Sequence, residues 1–399
     1  MMTILSVVIP ALNEEQGIEE ISRRVLSVKE SLRAVGVDDL ELLVVDDGSS
    51  DRTADIVATI EGVRLIKHPQ NRGYGAALQT GFSRAKGEII GFLDADGTYP
   101  PEYFPQLCEA ALDGAELVVG TRMTGTKSDM PLTRRVGNFF FANLLSLIGS
   151  QKISDSASGM RVFKKEILEQ LLPLPNGLNL TPVMSTRAMY ERIKMVEVPI
   201  PYSERVGRSK LSVVHDGSLF LRSIIWTGLS YNPVRILGLL GLGGVGITAF
   251  VGVGLLVARL RGVTTLAPWG VAAVFIAQVS GVVGLSLFAL GSTFNYLVSL
   301  FYKRPIRQGL FGKPIFSPSL DHHFGWLGLL TLFLGLVMGG VSWGLGMNGW
   351  DIARLWLYLL GSALLVLLGA QLVIYWVLMR VLDELSRREI STVNDRIVE

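Results

Sequence analysis

The sequence predicts an α/β domain followed by an all-α unit of four transmembrane helices, and three observations support this prediction. Apolar runs of strand length alternate with amphipathic helical segments over residues 1–120. Hydrophobic residues make up 49% of the 399-residue chain and charged residues only 18%, whereas about a quarter of a typical soluble domain is charged. Four long windows without any Asp, Glu, Lys or Arg follow residue 235.

The strands of the first domain are predicted from nearly continuous apolar runs at residues 4–10, 40–45, 63–66 and 88–93. Apolar residues at helical spacing predict helices at 14–35, 53–60 and 75–85, with Ser50 or Asp51 capping the second. This alternation predicts right-handed βαβ units on a parallel sheet that helices cover on both faces. Ligands of such sheets bind beyond the carboxyl ends of the strands.

The uncharged windows predict membrane spans near 236–258, 268–294, 325–347 and 355–379, because each window exceeds the roughly 20 residues that cross a bilayer. Basic residues concentrate in the loop between the second and third spans and in the tail. The loop carries Lys303, Arg304, Arg307 and Lys313. By the positive-inside rule, the first domain, this loop and the C-terminus are expected in the cytosol.

The predicted organisation is a cytosolic domain over residues 1–231, a transmembrane domain over 232–380 and a cytosolic tail over 381–399. Apolar segments near 134–150 and 211–231 are too short to span a bilayer and favour interfacial helices, with buried core helices as the alternative.

The chain begins in a strand without a cationic and apolar leader, so no signal peptide is expected. The net charge of +2 indicates no nucleic-acid partner, and a single cysteine, Cys108, excludes an intramolecular disulfide.

Acidic residues follow two of the predicted strands and indicate a metal and nucleotide site. Asp94 and Asp96 stand one residue apart at a strand end, where they could bind Mg²⁺ or Mn²⁺ together with substrate phosphate oxygens. Such a metal would neutralise the charge on a departing nucleoside diphosphate. Asp46 and Asp47 could accept hydrogen bonds from a base and a ribose. The glycine-rich turn at 71–75 could direct N–H groups at phosphate, although a structural turn is equally compatible.

Four stretches in this order resemble glycosyltransferase family 2: Val8-Ile9-Pro10-Ala11-Leu12-Asn13-Glu14, Val45-Asp46-Asp47-Gly48-Ser49, Asn71-Arg72-Gly73-Tyr74-Gly75 and Asp94-Ala95-Asp96. Two more resemble the membrane-anchored dolichol- or polyprenyl-phosphate hexose synthases: Ser158-Gly159-Met160-Arg161 and the stretch from Arg205 through Ser209, Lys210 and Leu211. The resemblance covers about residues 3–231. It implies a Rossmann-like GT-A fold and inverting transfer of a hexose from a nucleotide sugar of the GDP-mannose or UDP-glucose class to polyprenyl or dolichyl phosphate at the cytosolic membrane face.

The same resemblance implies roles for individual residues. The nucleotide sugar would be bound by Pro10, Leu12, Glu14, Asp46, Asp47, Asp94 and Ser209. The metal, Mg²⁺ or Mn²⁺, would be held by Asp94 and Asp96, and catalysis would involve Asp96, Arg122, Arg134, Arg205 and Lys210. Thr98 stands where the family often has Gln, which puts a third metal ligand there in doubt. Asp155 matches a family aspartate that could orient Arg161, touch the sugar or cap a turn.

The charge of the expected acceptor supports this chemistry without reference to the family. A phosphate monoester carries about −1.5 to −2 charges near neutral pH. It can therefore attack an anomeric carbon without the general base that an alcohol requires. The enzyme must bring two anionic reactants together and stabilise the leaving diphosphate. Arginines are suited to this task because they bind phosphate in a bidentate manner.

Two other functions are alternatives for a chain of this kind. A processive membrane glycan synthase would share the acidic motifs, but it would also carry a Gln-x-x-Arg-Trp motif, which this sequence lacks. A transporter or flippase subunit would need ionisable groups in its spans, and these spans contain almost none. The expected partners are the nucleotide sugar, polyprenyl phosphate and the lipid bilayer, and a homo-oligomer is compatible with the sequence.

Overall fold

The structure is a computed structural model that describes residues 2–124, 128, 130–149, 151–205, 212–265, 267–302 and 320–398. The chain divides into two compact units, Met1–Thr227 and Gly228–Glu399. The predicted site residues Ser209 and Lys210 and the predicted basic loop at 303–313 lie outside the described residues.

The first unit is built on one seven-stranded sheet in the order β3-β2-β1-β4-β6-β5-β7. Its strands are β1 (Ile4–Ala11), β2 (Asp39–Asp46), β3 (Val63–Lys67), β4 (Ile89–Phe92), β5 (Leu117–Thr121), β6 (Arg161–Lys164) and β7 (Met195–Pro199). The neighbours β3, β2, β1 and β4 are parallel, as predicted, but β6 runs antiparallel to β4 and β5. The parallel sheet predicted for residues 1–120 is therefore confirmed for its four predicted strands, whereas β6 was not predicted. Because β6 is four residues long and charged at both ends, it leaves no apolar run in the sequence.

Nine α-helices of the described chain surround or extend from this sheet: α1 (Ile18–Ser27), α2 (Lys29–Ala34), α3 (Thr53–Ala58), α4 (Tyr74–Arg84), α5 (Phe104–Leu112), α6 (Leu132–Ile148), α7 (Leu168–Leu171), α8 (Leu180–Tyr190) and α9 (Val213–Tyr231). The prediction of one helix over 14–35 is wrong, because α1 and α2 meet at Val28. The Val28 N–H donates three residues back to the Val25 carbonyl, at 3.4 Å. This tighter turn keeps both Val28 and Leu32 buried.

Successive side chains of the central strands point to opposite faces of the sheet. Leu5, Val7 and Ile9 of β1 lie in the core cluster that includes residues of α1, α2 and α5. Val8 lies in the cluster on the other face, with residues of α4 and α8. The predicted covering of both faces is therefore observed, and it fixes the carboxyl ends of β1, β2, β4 and β5 along one edge.

The second unit consists, in the described residues, of α10 (Pro233–Leu260), α11 (Pro268–Tyr302), α12 (Leu320–Met347) and α13 (Ile352–Val398). All four are long and apolar enough to cross a membrane. The helix α10 packs on α11, α12 on α13, and α11 on α13. Gly241 of α10 packs closely on α11, since a methyl group there would lie 2.5 Å from the Gly284 carbonyl oxygen. Gly243 and Gly246 have open space beside them instead.

Candidate active site

A cavity of about 750 Å³ opens at the edge where β1, β2, β4 and β5 end. It brings together residues that stand far apart in the sequence. Its lining includes most of the predicted site residues: Pro10, Leu12, Glu14, Asp47, Asp94, Asp96, Arg122, Arg134 and Arg205. Among the described residues, the lining does not include Asp46. The antiparallel β6 begins at the same edge, so the turn before it also reaches the cavity through Ala157 and Gly159.

Asp94 is held by two neighbours at the end of β4. Its Oδ1 accepts a 2.8 Å hydrogen bond from the Tyr74 hydroxyl at the start of α4. Its Oδ2 lies against Gly159, where an added methyl group would approach to 2.4 Å. Burial, and next the nearby Asp96 carboxylate, raise the pKa of Asp94 to about 7. Two carboxylates that influence each other in this way repel each other unless a proton or a cation is shared between them.

Asp96 is bound on one side by Thr98 and faces Arg205 on the other. Its Oδ1 accepts from the Thr98 hydroxyl at 2.6 Å and from the Thr98 N–H at 3.1 Å. Its Oδ2 lies 3.4 Å from Nη1 of Arg205, whose Nη2 donates to Glu14 Oε1 at 2.9 Å. Arg205 thus joins the ends of β1 and β4. The Thr98 hydroxyl and N–H therefore orient the Asp96 carboxylate.

The Asp94 and Asp96 carboxylates fit a divalent metal that takes its remaining ligands from a substrate and from water. In the part of the chain that the structure describes, no group of three or more His, Cys, Asp and Glu side chains could hold a metal ion. Mg²⁺ is nevertheless commonly bound by one or two carboxylates, with substrate phosphates and water completing its shell. Asp94 and Asp96 supply hard oxygen atoms of this type. They therefore suit a metal that arrives with a phosphate-bearing substrate.

Arg122, just after β5, is paired with Asp155 in a two-point ion pair. Its Nε and Nη2 lie 2.7 and 2.8 Å from the two carboxylate oxygens, and its Nη1 donates to the Tyr99 hydroxyl at 2.8 Å. Burial alone would raise the pKa of Asp155, but the Arg122 guanidinium holds it below its usual range. Asp155 was expected to orient Arg161, touch the sugar or cap a turn. Its carboxylate fixes Arg122, and its Oδ1 also accepts from the Ala157 N–H at 3.3 Å, as a turn cap would. One N–H on each terminal nitrogen of Arg122 is left for a ligand.

Arg134 and a wall of apolar side chains line another part of the cavity. Arg134, in the first turn of α6, donates from Nη1 to the Tyr202 hydroxyl at 3.3 Å. Val136, Phe140 and Phe141 of α6 and Phe220 of α9 also line the cavity. The rings of Phe141 and Phe220 lie 5.9 Å apart between centroids. A ligand with both phosphate and hydrocarbon parts would find a partner for each in this region.

The glycine-rich turn does not present its N–H groups to the cavity in the predicted way. The N–H groups of Arg72 and Gly73 donate to the Asp47 carboxylate at 2.9 and 2.8 Å. The Ala76 N–H donates to the Asn176 carbonyl at 3.1 Å. The N–H groups of Arg72 and Gly73 therefore stabilise the turn itself, as the structural alternative predicts for these two residues. Asp46 likewise has a local role, since its Oδ1 accepts from the Ser49 N–H at 3.2 Å.

Several residues of the site were missed by the sequence analysis. Tyr99 accepts hydrogen bonds from Arg122 and from the Gly159 N–H, the latter at 2.7 Å. His68, to which no role was assigned, lies with Nδ1 2.7 Å from Asp47. The contacts of Tyr99 and His68 carry no local signal, because each joins residues from separate strand ends. Arg161, which belongs to a family stretch in the sequence, is fully buried and donates to the carbonyls of Ser156 and Ser158 in the turn just before it.

Comparison with known proteins identifies the family. Residues 6–172 match the family described as Glycosyl transferase family 2. Residues 233–393 match a second family, described as Domain of unknown function (DUF8752). The first match covers β1 to β6 and therefore most of the strand ends that form the cavity.

Two curated proteins of Haloferax volcanii are similar to the first unit. Dolichyl-phosphate hexose transferase is 32% identical over 221 residues, which cover 55% of this chain and 92% of the relative. Low-salt glycan biosynthesis hexosyltransferase Agl6 is 33% identical over 231 residues, 57% of this chain and 54% of the relative. A solved structure with a similar chain is glucosyl-3-phosphoglycerate synthase from Mycobacterium tuberculosis in complex with Mn²⁺, UDP and phosphoglyceric acid. It is 26% identical to this chain with a TM-score of 0.44, and the match covers 57% of this chain and 78% of the synthase. On the strength of the curated relatives and the family match, the chain belongs to glycosyltransferase family 2 and is a GT-A glycosyltransferase followed by four long apolar helices.

Proposed function

We propose that the protein transfers a hexose from a nucleotide sugar to a polyprenyl phosphate, with inversion at the anomeric carbon. The observation that carries this proposal is the composition of the cavity. The carboxylate pair Asp94 and Asp96, the arginines Arg122 and Arg134, and the apolar residues of α6 and α9 all line one space. A sugar diphosphate and a lipid phosphate each have matching groups there. The similarity to dolichyl-phosphate hexose transferase supports the same acceptor class.

The donor diphosphate would bind at the ends of β1 and β4. Asp94 and Asp96 would hold Mg²⁺ or Mn²⁺, which when bound supplies positive charge to the departing diphosphate. Arg205, whose guanidinium lies between Glu14 and Asp96, would contact the oxygens of the same diphosphate. Pro10 and Leu12 would pack against the nucleoside. Ser209 and Lys210 are proposed to act on the diphosphate from the segment that follows Arg205.

The acceptor phosphate would bind between Arg122 and Arg134. Asp155 fixes Arg122 in one orientation, so two of its N–H groups are directed before the ligand arrives. The acidic residues of the lining already have hydrogen-bond or ion-pair partners: Glu14, Asp47, Asp94, Asp96 and Asp216. This supports a phosphate monoester as the nucleophile. Such a group is already ionised when it binds, so none of these acidic residues has to accept a proton from it.

Exposed apolar side chains support a lipid surface beside the cavity. Leu132 and Phe139 of α6 are 75% and 64% exposed, and Val214 and Trp226 of α9 are 83% and 63% exposed. Such side chains on a helix next to polar groups are typical of interfacial helices. We therefore propose that α6 and α9 lie at the headgroup level, that the four helices from residue 233 onward span the membrane, and that the first unit and the C-terminal tail face the cytosol, as the basic residues predict.

The test is a transfer assay with the purified full-length protein, polyprenyl phosphate, Mg²⁺ or Mn²⁺ and a panel of radiolabelled nucleotide sugars. Label that partitions into organic solvent reports the product. Transfer from at least one hexose donor is expected, and Asp96→Asn should reduce it by a factor of 100 or more if a carboxylate at that position is needed. Asp113→Asn, at an exposed site after α5, is the matched control. Wild-type activity in Asp96→Asn, or no transfer from any donor, would contradict the proposal.

A further inference from the structure

Two buried hydroxyl groups line the cavity and have hydrogen-bonding capacity that no described residue uses. They belong to Tyr99, which is 2% exposed, and to Thr181, which is 4% exposed. We infer that these two hydroxyls bind the transferred hexose from opposite sides, while the two phosphate-bearing groups bind to the charged residues. This inference deepens the proposed function and rests on it, because it assumes that a nucleotide sugar occupies the cavity.

The Tyr99 hydroxyl has only its hydrogen left for a ligand. Its oxygen accepts from Arg122 Nη1 at 2.8 Å and from the Gly159 N–H at 2.7 Å. Both partners are donors, so they occupy the acceptor positions of the oxygen. Burial raises the pKa of Tyr99, and the hydrogen therefore stays on the oxygen near neutral pH. No residue in the described part of the chain accepts a hydrogen bond from it, and a buried donor without an acceptor is costly.

The Thr181 hydroxyl differs from the Thr186 hydroxyl of the same helix in having no carbonyl to bond. Thr186 donates to the carbonyl of Pro182, four residues back, at 2.7 Å. Thr181 is the second residue of α8, so the carbonyl four residues back belongs to Gly177, which already accepts from the Leu180 N–H at 3.2 Å. Within the described ranges, the Thr181 hydroxyl has no hydrogen-bond partner, and it lines the cavity.

The start of α8 adds polarity at the position of Thr181. The N–H groups in the first turn of a helix have no partner within the helix, and with the helix dipole they attract oxygen atoms. The N-cap residue Asn179 makes no side-chain bond to this turn, and its Nδ2 donates to Ser223 Oγ at 2.7 Å. The start of α8 therefore offers a ligand oxygen both the Thr181 hydroxyl and a local positive potential.

The two hydroxyls come from opposite faces of the sheet and meet at its edge. Tyr99 belongs to the core cluster that includes residues of α1, α2 and α5. Thr181 belongs to α8, which packs with α4 on the other face. Both residues line the cavity at the edge where the strands end. A ligand in the cavity can therefore contact one hydroxyl on each side.

The turn before β6 connects the two sides. The Gly159 N–H donates to Tyr99, and Arg161, two residues further on, donates to the Ser185 hydroxyl of α8 at 2.9 Å. The Ser185 hydroxyl in turn donates to the Thr181 carbonyl at 3.2 Å. These bonds hold Tyr99 and the start of α8 to the same turn, so the two hydroxyls are fixed relative to each other before a ligand binds.

A hexose is the part of the donor that fits neutral groups at this place. Its anomeric carbon is bonded to the diphosphate, which is proposed to bind beside Asp94, and is attacked by the acceptor phosphate, which is proposed to bind at Arg122. The sugar ring therefore lies between these two residues during transfer. Gly159 lies against Asp94, and Arg122 donates to Tyr99. Sugar hydroxyls both donate and accept, so one can accept from Tyr99 and another can bond with Thr181.

The experiment measures donor binding to the full-length protein in detergent with Mn²⁺, by isothermal titration calorimetry. The probes are two pairs, UDP with UDP-glucose and GDP with GDP-mannose. Thr181→Val replaces the hydroxyl with a methyl group and should weaken binding of the nucleotide sugar by about fivefold or more, because a sugar hydroxyl loses its partner. The Kd of the matching diphosphate should stay unchanged. Thr186→Val is the matched control, since its hydroxyl bonds within α8 and is absent from the cavity lining.

Tyr99→Phe removes the other hydroxyl and should weaken binding of the nucleotide sugar in the same selective way. An equal effect on the diphosphate and the nucleotide sugar, or no effect on either in folded Thr181→Val, would overturn the inference while leaving hexosyl transfer intact. A raised KM for the acceptor with an unchanged Kd for the nucleotide sugar in Tyr99→Phe would also contradict it. If one variant does not fold, the other still decides. If neither nucleotide sugar binds to the wild-type protein, the proposed function itself fails.

Discussion

Arg122 and Asp155 are joined by two parallel hydrogen bonds of 2.7 and 2.8 Å, and a third bond of 3.0 Å runs from the Arg122 N–H to the same carboxylate. Asp155 is completely buried. The Asp155 carboxylate therefore sets the direction of the guanidinium that lines the cavity. Two tyrosine rings, Tyr99 and Tyr202, lie 5.6 and 5.4 Å from the Arg122 guanidinium carbon and enclose it further.

Asp155→Asn should impair both stability and transfer. The substitution removes the charge that compensates a buried guanidinium, and breaking such a pair costs about 3–5 kcal/mol. Because Asn retains one acceptor oxygen, we expect a loss near the lower end of that range and a large reduction in kcat/KM for the acceptor. Thermal unfolding and transfer assays check this. Asp113→Asn should behave as wild type, and an Asp155→Asn protein with unchanged unfolding and activity would refute the positioning role.

The same pair predicts a dependence of stability on pH. The pKa of Asp155 is lowered from 3.8 in the folded protein, with Arg122 overcoming the effect of burial. A lowered folded pKa means that the pair stabilises the protein above about pH 4 and loses that effect as pH falls through the folded pKa. The difference in melting temperature between wild type and Asp155→Asn should therefore shrink between pH 6 and pH 3. A constant difference over this range would be inconsistent with an ionised Asp155.

Tyr74→Phe should weaken metal binding without disturbing the fold. The Tyr74 hydroxyl donates to Asp94 Oδ1, so its loss removes one bond that orients the carboxylate and favours its ionised form. One such hydrogen bond contributes about 1 kcal/mol, which corresponds to roughly a fivefold change in Kd for Mn²⁺. Electron paramagnetic resonance of free Mn²⁺ measures this directly. Tyr103→Phe, outside the cavity lining, is the control, and equal Mn²⁺ affinity in both variants would argue against the contact.

Phe140→Ser should raise the KM for long acceptors. Phe140 lines the cavity and is 54% exposed, so it is available to a hydrocarbon chain. Burial of a Phe side chain is worth about 1.5–3 kcal/mol, and we expect about a tenfold rise in KM for a long polyprenyl phosphate. A short, water-soluble prenyl phosphate should be affected less. Leu112→Ser, a 43% exposed apolar residue of α5, is the control. An equal effect on both acceptors would point to damage that is unrelated to the chain.

The sequence predicted those parts of the site that depend on one segment at a time. A buried parallel strand is a continuous apolar run, and the polar residues that follow it mark its carboxyl end. For this reason β1, β2 and β4 and the residues after them, including Asp47, Asp94 and Asp96, could be placed in one pocket before the structure was known. Uncharged windows predicted the four long helices, because hydropathy also depends only on local composition.

The tertiary structure decided which of these groups contact each other. Asp155 binds Arg122 and not Arg161, and Asp47 binds His68 and the turn at 71–75. These pairings join residues 21 to 33 positions apart. A carboxylate has no preference between two arginines in the sequence. Strand order and packing determine which guanidinium or N–H group lies within hydrogen-bonding distance.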